Sequence, residues 1–255
     1  MSATDLITTE LTLTGRIRTA SNATFVGTIG EVSVVYKPIA GEAPLWDFPD
    51  GTLANREVAA YLVSQALGWD VVPRTWLRDG PFGPGMVQLW KEPDAEHSAV
   101  DLVETDQAPE SGWKHVLEGR DEDGRSVTLI HEDSSALRRM AVFDLIVNNA
   151  DRKGNHILAM TDGHRYGVDH GLTFHHEHKV RTVLWGWLGE SLGGDELDGI
   201  DRVVEGLRGE LGSELAELLS EQEIAALDAR CSELRVAGQF PAPTGAMPAV
   251  SWPLF

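Results

Sequence analysis

Asp151 and Asp169 are the residues with the most chemistry to offer. Asp151 sits in the polar run Asn148-Asn149-Ala150-Asp151-Arg152-Lys153-Gly154-Asn155-His156, and Asp169 sits in Val168-Asp169-His170-Gly171. Between them, residues 156–160 and 165–168 read as two short strands around the turn Thr161-Asp162-Gly163. The spacing predicts two carboxylates at the mouths of adjacent strands of one hairpin. Metal-assisted phosphoryl transfer needs such a pair, one beside the attacking hydroxyl and one on a metal that bridges the phosphates. Each aspartate taken alone also reads as an ordinary turn or cap residue. Arg152 either braces this loop or reaches a phosphate through its fork of donors.

A helix predicted over 135–147 must deliver the first aspartate. Leu137, Met140, Ala141 and Leu145 recur on one face, and Phe143 and Ile146 widen it. Beyond the second aspartate come Gly171-Leu172-Thr173-Phe174 and then Trp185-Gly186-Trp187-Leu188. Asp-Arg in a loop after a helix, Ile-Leu, Val-Asp-x-Gly and Trp-x-Trp-Leu, in that order, resemble the loops of the phosphatidylinositol 3-/4-kinase superfamily. The likeness is greatest to the type II phosphatidylinositol 4-kinases and to soluble bacterial kinases of that kind, and it spans residues 10–190.

The resemblance implies ATP and Mg²⁺ as cofactors, with Asp151 addressing the acceptor hydroxyl and Asp169 as a metal ligand. It also implies a second ligand, an asparagine five residues past the catalytic aspartate. Here that position is His156, and Asn155 lies one residue early. Mg²⁺ prefers oxygen to imidazole. Three readings therefore stand: Asn155 turns inward, His156 replaces it, or the second metal is lost. The first is slightly favoured.

Upstream elements must supply the phosphate-binding side. Residues 10–17 alternate as a half-buried strand, 25–29 read as its return, and the turn 19–24 between them carries Ser21 and Asn22. Such a tip either folds its N–H groups over phosphates or is an ordinary hairpin turn. Val34-Val35-Tyr36-Lys37-Pro38 resembles the family's lysine strand, which makes Lys37 the phosphate-binding amine; a lysine on a strand's wet face is the plainer reading. Residues 55–67 read as a helix ended by Gly68, with Glu57 in the first turn. The resemblance makes Glu57 the partner of Lys37; otherwise it only favours the positive helix end. Strands are predicted at 71–77 and 85–90. Backbone groups of Gln88, Leu89 and Trp90 would meet the adenine edge by the family's inter-lobe pattern, although Trp90 equally suits a core.

Composition bounds the rest. A 255-residue chain that is 42% hydrophobic can build one large core or two packed lobes. Its net charge of −19 disfavours nucleic acid and anionic membrane surfaces. A single cysteine, Cys231, no charged-then-apolar leader and no apolar run near eighteen residues lead to the expectation of a cytoplasmic protein without stable membrane anchoring. Residues 91–133 read as polar and acidic, with a weak helix at 111–118 and a hairpin turn at 121–124. His175-His176-Glu177-His178 reads as part of an activation segment rather than a metal site, since adjacent histidines cannot all face one ion. Helices are predicted at 198–207, 212–219 and 221–237, followed by an extended tail.

These readings sum to an α+β, bilobal, protein-kinase-like fold. Residues 1–90 are expected to form a small antiparallel lobe with one helix, and residues 91–255 a mainly helical lobe. The expected partners are a nucleotide and a hydroxyl acceptor: a lipid headgroup or small molecule, or a protein side chain as for HipA-like kinases. A nucleotide-binding scaffold without turnover is the alternative.

Overall fold

Alternating strands and short turns at the front of the chain close into one antiparallel sheet. In the computed structural model, which describes residues 3–18, 22–43, 45, 48, 53–244 and 248–255, its strands are β1 (Leu11–Ile17), β2 (Thr24–Ile29), β3 (Val32–Pro38), β4 (Thr75–Gly80) and β5 (Gly83–Leu89). Their order is β1-β2-β3-β5-β4. Ahead of the sheet stands a short helix, α1 (Ala3–Thr8), whose Leu6 is buried with Leu11, Ile29, Val34, Tyr36 and Val87. Residues 71–74, expected as strand, precede β4 as irregular chain.

Helix α2 (Leu53–Leu67) follows β3 and binds the two halves of the molecule together. Ala59, Ala60, Val63 and Leu67 sit in the large core shared with α3 (Ser135–Val147), α4 (Gly194–Gly206), α5 (Glu210–Ala216) and α6 (Glu221–Ala237). Polar ties reinforce this apolar seam. Arg56 donates to Thr173 O at 2.6 Å and pairs with Glu223 at 2.5 Å, and Arg202 donates to Leu67 O. The Trp69 indole sits against Gly199, where any side chain would collide with it.

The second lobe is less helical than the sequence suggests. β6 (Val100–Glu104), β7 (Trp113–Arg120) and β8 (Ser126–Glu132) form a three-stranded antiparallel sheet ordered β6-β8-β7. Residues 111–118, read as a weak helix, are therefore mostly strand. The reason is the turn at 121–124: Asp121 accepts from the N–H groups of Asp123 and Arg125, and Gly124 has φ +78°. That geometry folds β7 onto β8, and the ladder outcompetes a short helix flanked by Gly112 and Gly119.

The C-terminal helices match their sequence signals. Ser220 and Glu223 cap α6 reciprocally, each side chain accepting from the other's backbone N–H. The result is a bilobal α+β molecule in which a five-stranded sheet faces a mixed lobe across the N-terminal end of α2.

Candidate functional site

The capped end of α3 starts the site. Ser134 accepts from Leu137 N–H at its beginning, and Asn148 ends it in the left-handed region at φ 55°. The Asn148 amide donates to His175 O and Glu177 O, and its oxygen accepts from Lys179 N–H. One side chain thus ties the 175–179 segment to the loop that carries Asp151.

Asp144, one turn earlier, anchors that loop from below. It is fully buried and accepts from Arg152 Nη2 at 2.8 Å, Arg152 Nε, Asn149 Nδ2 at 2.9 Å and Thr182 Oγ1 at 3.1 Å. Arg152 is also 0% exposed and donates to His170 Nε2 at 2.7 Å. It therefore braces the loop and cannot touch a phosphate, so of the two roles open to it only the first survives. Asn149 Oδ1 accepts from Asp151 N–H, which leaves the Asp151 carboxylate half-buried beside Lys153 Nζ at 3.2 Å.

The short hairpin β9 (Ile157–Ala159) and β10 (Arg165–Gly167) then delivers Asp169, with φ +62°. Lys37, from β3, reaches across the lobes to it. Lys37 Nζ lies 2.6 Å from Glu57 Oε1 and 2.6 Å from Asp169 Oδ1. The second Glu57 oxygen accepts from His170 N–H at 2.9 Å, so one carboxylate fixes both the amine and the backbone beside Asp169.

Burial opposes the Lys37 charge, but Asp169 and Glu57 outweigh it and hold the amine protonated above its ordinary range. Asp169 is pushed well below the usual carboxylate range, chiefly by Lys37 and against burial. Burial raises Glu57, with Lys37 opposing.

His156 turns into the site, and Asn155 is exposed. The favoured inward turn of Asn155 is therefore corrected. The 3-10 turn Gly154–His156 aims the imidazole inward and the amide outward. His156 Nδ1 faces Asp151 O at 3.0 Å, and a carbonyl only accepts, so Nδ1 carries a proton. Burial holds the ring below the ordinary imidazole range, against the pull of Asp169. Nε2 therefore presents a lone pair 3.6 Å from Asp169 Oδ2. Two acceptors facing each other suit a cation between them. Mg²⁺ is commonly held by one or two carboxylates plus substrate phosphates; Asp169 supplies one carboxylate, and the imidazole beside it suits a softer divalent ion better. Among the described residues no group of three His, Cys, Asp or Glu is arranged to hold a metal unaided, which applies equally to His175–His178 and to the 121–124 turn.

Asn22, Lys37, Glu57, Asp151 and Asp169 line one cavity of about 110 Å³. That is smaller than the ~300 Å³ lower bound usual for a whole small-molecule site, so it would take only part of one. Asn22 Oδ1 accepts from Ala43 N–H, and Glu42 caps α2 by accepting from Leu53 and Ala54 N–H. Ser21 lies outside the described residues.

Gln88, Leu89 and Trp90 do not join this cavity. Gln88 is paired on both sides within the sheet and gives its side chain to Thr75. Leu89 N–H donates to Arg74 O and Trp90 N–H to Ser33 O. With those donors taken, none of the three has an N–H to offer an adenine edge. The Trp90 indole, 38% exposed, donates to Glu92 and is not a core aromatic either.

No protein-family model matches the chain. Protein Rv2133c of Mycobacterium tuberculosis is 51% identical over 258 residues, covering 96% of this chain and 92% of that protein. The chain belongs to the family of that protein. Among solved structures it is similar to the Helicobacter pylori proinflammatory kinase CtkA, with a TM-score of 0.46 and 12% identity over 92% of this chain and 94% of the other. Likeness at that level assigns no chemistry.

The residues missed in the sequence are the ones that hold the site rather than line it. Asp144 had a signal, a lone acid inside the apolar run Val142-Phe143-Asp144-Leu145-Ile146. Thr182 and Asn148 had none, because their partners lie 38 and 27 residues away in sequence.

Proposed function

We propose that this protein is an ATP-dependent phosphotransferase that uses a divalent metal to transfer the γ-phosphoryl group to a hydroxyl acceptor. The observation that carries the reading is the meeting of three elements at Lys37, whose amine is 2.6 Å from both Glu57 and Asp169. An amine from one lobe and a carboxylate from the other then flank a cavity into which Asp151 also faces.

In this reading Lys37, set by Glu57, binds the nucleotide's phosphates, and Asp169 with His156 would hold the metal. When bound, that ion neutralises charge on the phosphates. Asp151 accepts the acceptor's hydroxyl proton as the acceptor oxygen bonds to the γ-phosphorus. The bond to the β–γ bridging oxygen breaks, and ADP departs. The motif resemblance to phosphatidylinositol 3-/4-kinases supports the same assignment. The net charge of −19 works against an anionic lipid surface, so a protein or small-molecule hydroxyl is the first acceptor class to test. Among the described residues no helix is long and apolar enough to cross a membrane.

A second reading, a nucleotide-binding scaffold without turnover, is favoured by one observation: an imidazole stands where an oxygen ligand is expected. Incubation with γ-labelled ATP and Mg²⁺ or Mn²⁺, alone, with lysate protein and with phosphoinositide vesicles, separates the cases. Label on protein or a small molecule supports the first acceptor class, and label in lipid supports a headgroup. ATP binding in a thermal-shift titration without label anywhere supports the scaffold.

A further inference from the structure

Residues 249–255 lie across the two loops that build the site. Ala249 O accepts from Thr182 N–H at 3.1 Å and from the Trp185 indole at 2.8 Å. Ser251 Oγ donates to Ala150 O at 3.2 Å, and Leu254 O accepts from Gly154 N–H at 2.8 Å. Ser251 and Leu254 are 5% and 8% exposed, and Leu254 belongs to the large core. The Trp252 side chain between them is 84% exposed, so the segment touches the protein at chosen points rather than collapsing onto it. The edge of the Phe255 ring occupies the space that a Cβ on Gly154 would need.

These contacts bracket the reactive stretch. Ala150 and Gly154 flank Asp151 and Lys153, which pair with each other, and His156 bonds Asp151 O just beyond. Thr182, bonded to Ala249, also donates to Asp144 beneath the loop. Gly154 is buried, so without Leu254 its N–H would lose a partner that water cannot readily replace. A shift at Gly154 would carry Asp151, Lys153 and His156 with it.

We infer that residues 249–255 are a brace that sets the Asp151 loop in its working geometry, with Phe255 as the positioning residue seated on Gly154. Its effect on transfer rests on the phosphotransfer reading; the mechanical claim does not. Misplacing reacting groups by a fraction of a bond length costs rate while leaving nucleotide contacts on the far lobe intact.

The test uses the full chain with Phe255→Ala, Phe255→Leu, Gly154→Ala and the double variant Gly154→Ala/Phe255→Ala. Hydrogen exchange is followed in the peptide over residues 148–158. Phe255→Ala and Gly154→Ala should each speed exchange at the backbone amide of position 154, relative to the intrinsic rate for the residue there, by about tenfold, the equivalent of ~1.4 kcal/mol. Phe255→Leu should restore most of the protection. The double variant should be no worse than either single one, because the ring and the Cβ compete for one space. Turnover at saturating ATP should fall about tenfold while the Kd for Mg-ATP stays within about twofold. Unchanged exchange in Phe255→Ala would overturn the brace, as would turnover and ATP affinity falling together. If the unaltered protein transfers no phosphate, the phosphotransfer reading fails and the exchange result alone decides the brace.

Discussion

At Lys37 one amine is shared by two carboxylates that differ in exposure: Glu57 is almost sealed, and the Asp169 side chain is about half exposed. The sealed one is structural and the open one is available to a ligand. Asp169→Ala should therefore abolish metal-dependent ATP binding, measured by calorimetry with and without Mg²⁺. Asp151→Ala should retain binding and lose transfer by about 10²-fold or more, the scale of general base removal; normal turnover in that variant would reject the loop assignment. The proposed His156 ligand would make a metal site softer than an all-oxygen one, so His156→Asn should shift the ratio of Mn²⁺ to Mg²⁺ affinity toward Mg²⁺. These lining residues could be found in the sequence because charged side chains at motif spacing are conspicuous. Asn155 was misplaced because a single turn of 3-10 helix decides which of two neighbours faces inward, and no pattern in the letters encodes that turn.

Elements carry a different kind of information. Helix α2 reads clearly as a helix, yet its letters do not say that its apolar side belongs to the opposite lobe. Contacts between residues far apart in sequence reveal that, among them the Arg56–Glu223 pair and the Arg202 hydrogen bond to Leu67 O. Strand β7 was misread for the complementary reason. A weak helical pattern lost to a hairpin whose turn chemistry, at Asp121 and Gly124, was legible on its own. The loop after α3 depends on Asp144 and Arg152, both fully buried. Replacing one partner leaves the other as an uncompensated buried charge, which costs about 3–5 kcal/mol. Asp144→Ala and Arg152→Ala should each lower unfolding stability in urea by that amount. The double variant Asp144→Leu/Arg152→Met should recover part of it. A loss under about 1 kcal/mol in either single variant, the range of an exposed pair, would refute the anchoring role.

Across the whole molecule the buried histidines set how stability responds to acid. His131, His156 and His170 are each held below the ordinary imidazole range, burial being the first cause for all three. The folded state therefore binds fewer protons than the unfolded chain once the pH falls below ~6.5. Stability contributed by these groups is complete above that value and is lost as the pH drops toward their folded pKa values. Glu57, raised by burial, acts in the opposite direction, because the folded form takes up its proton first. Asp169 is lowered, so its share is lost only when the pH falls below the usual carboxylate range, outside this interval. With His175 and His178, which burial also lowers, five histidines against one glutamate leave a net uptake of protons on unfolding between pH 7 and pH 5. Each such proton corresponds to a slope of about 1.4 kcal/mol per pH unit. Urea unfolding at half-unit steps should show stability falling steadily from pH 7 to pH 5. His131→Gln should flatten the curve, because His131 lies away from the Asp151 loop and binds Gly186 N–H through Nε2. A curve that is level, or that rises toward acid, would mean these rings are solvated and charged in the native state, and the packing drawn around Arg152 and His170 would have to be abandoned.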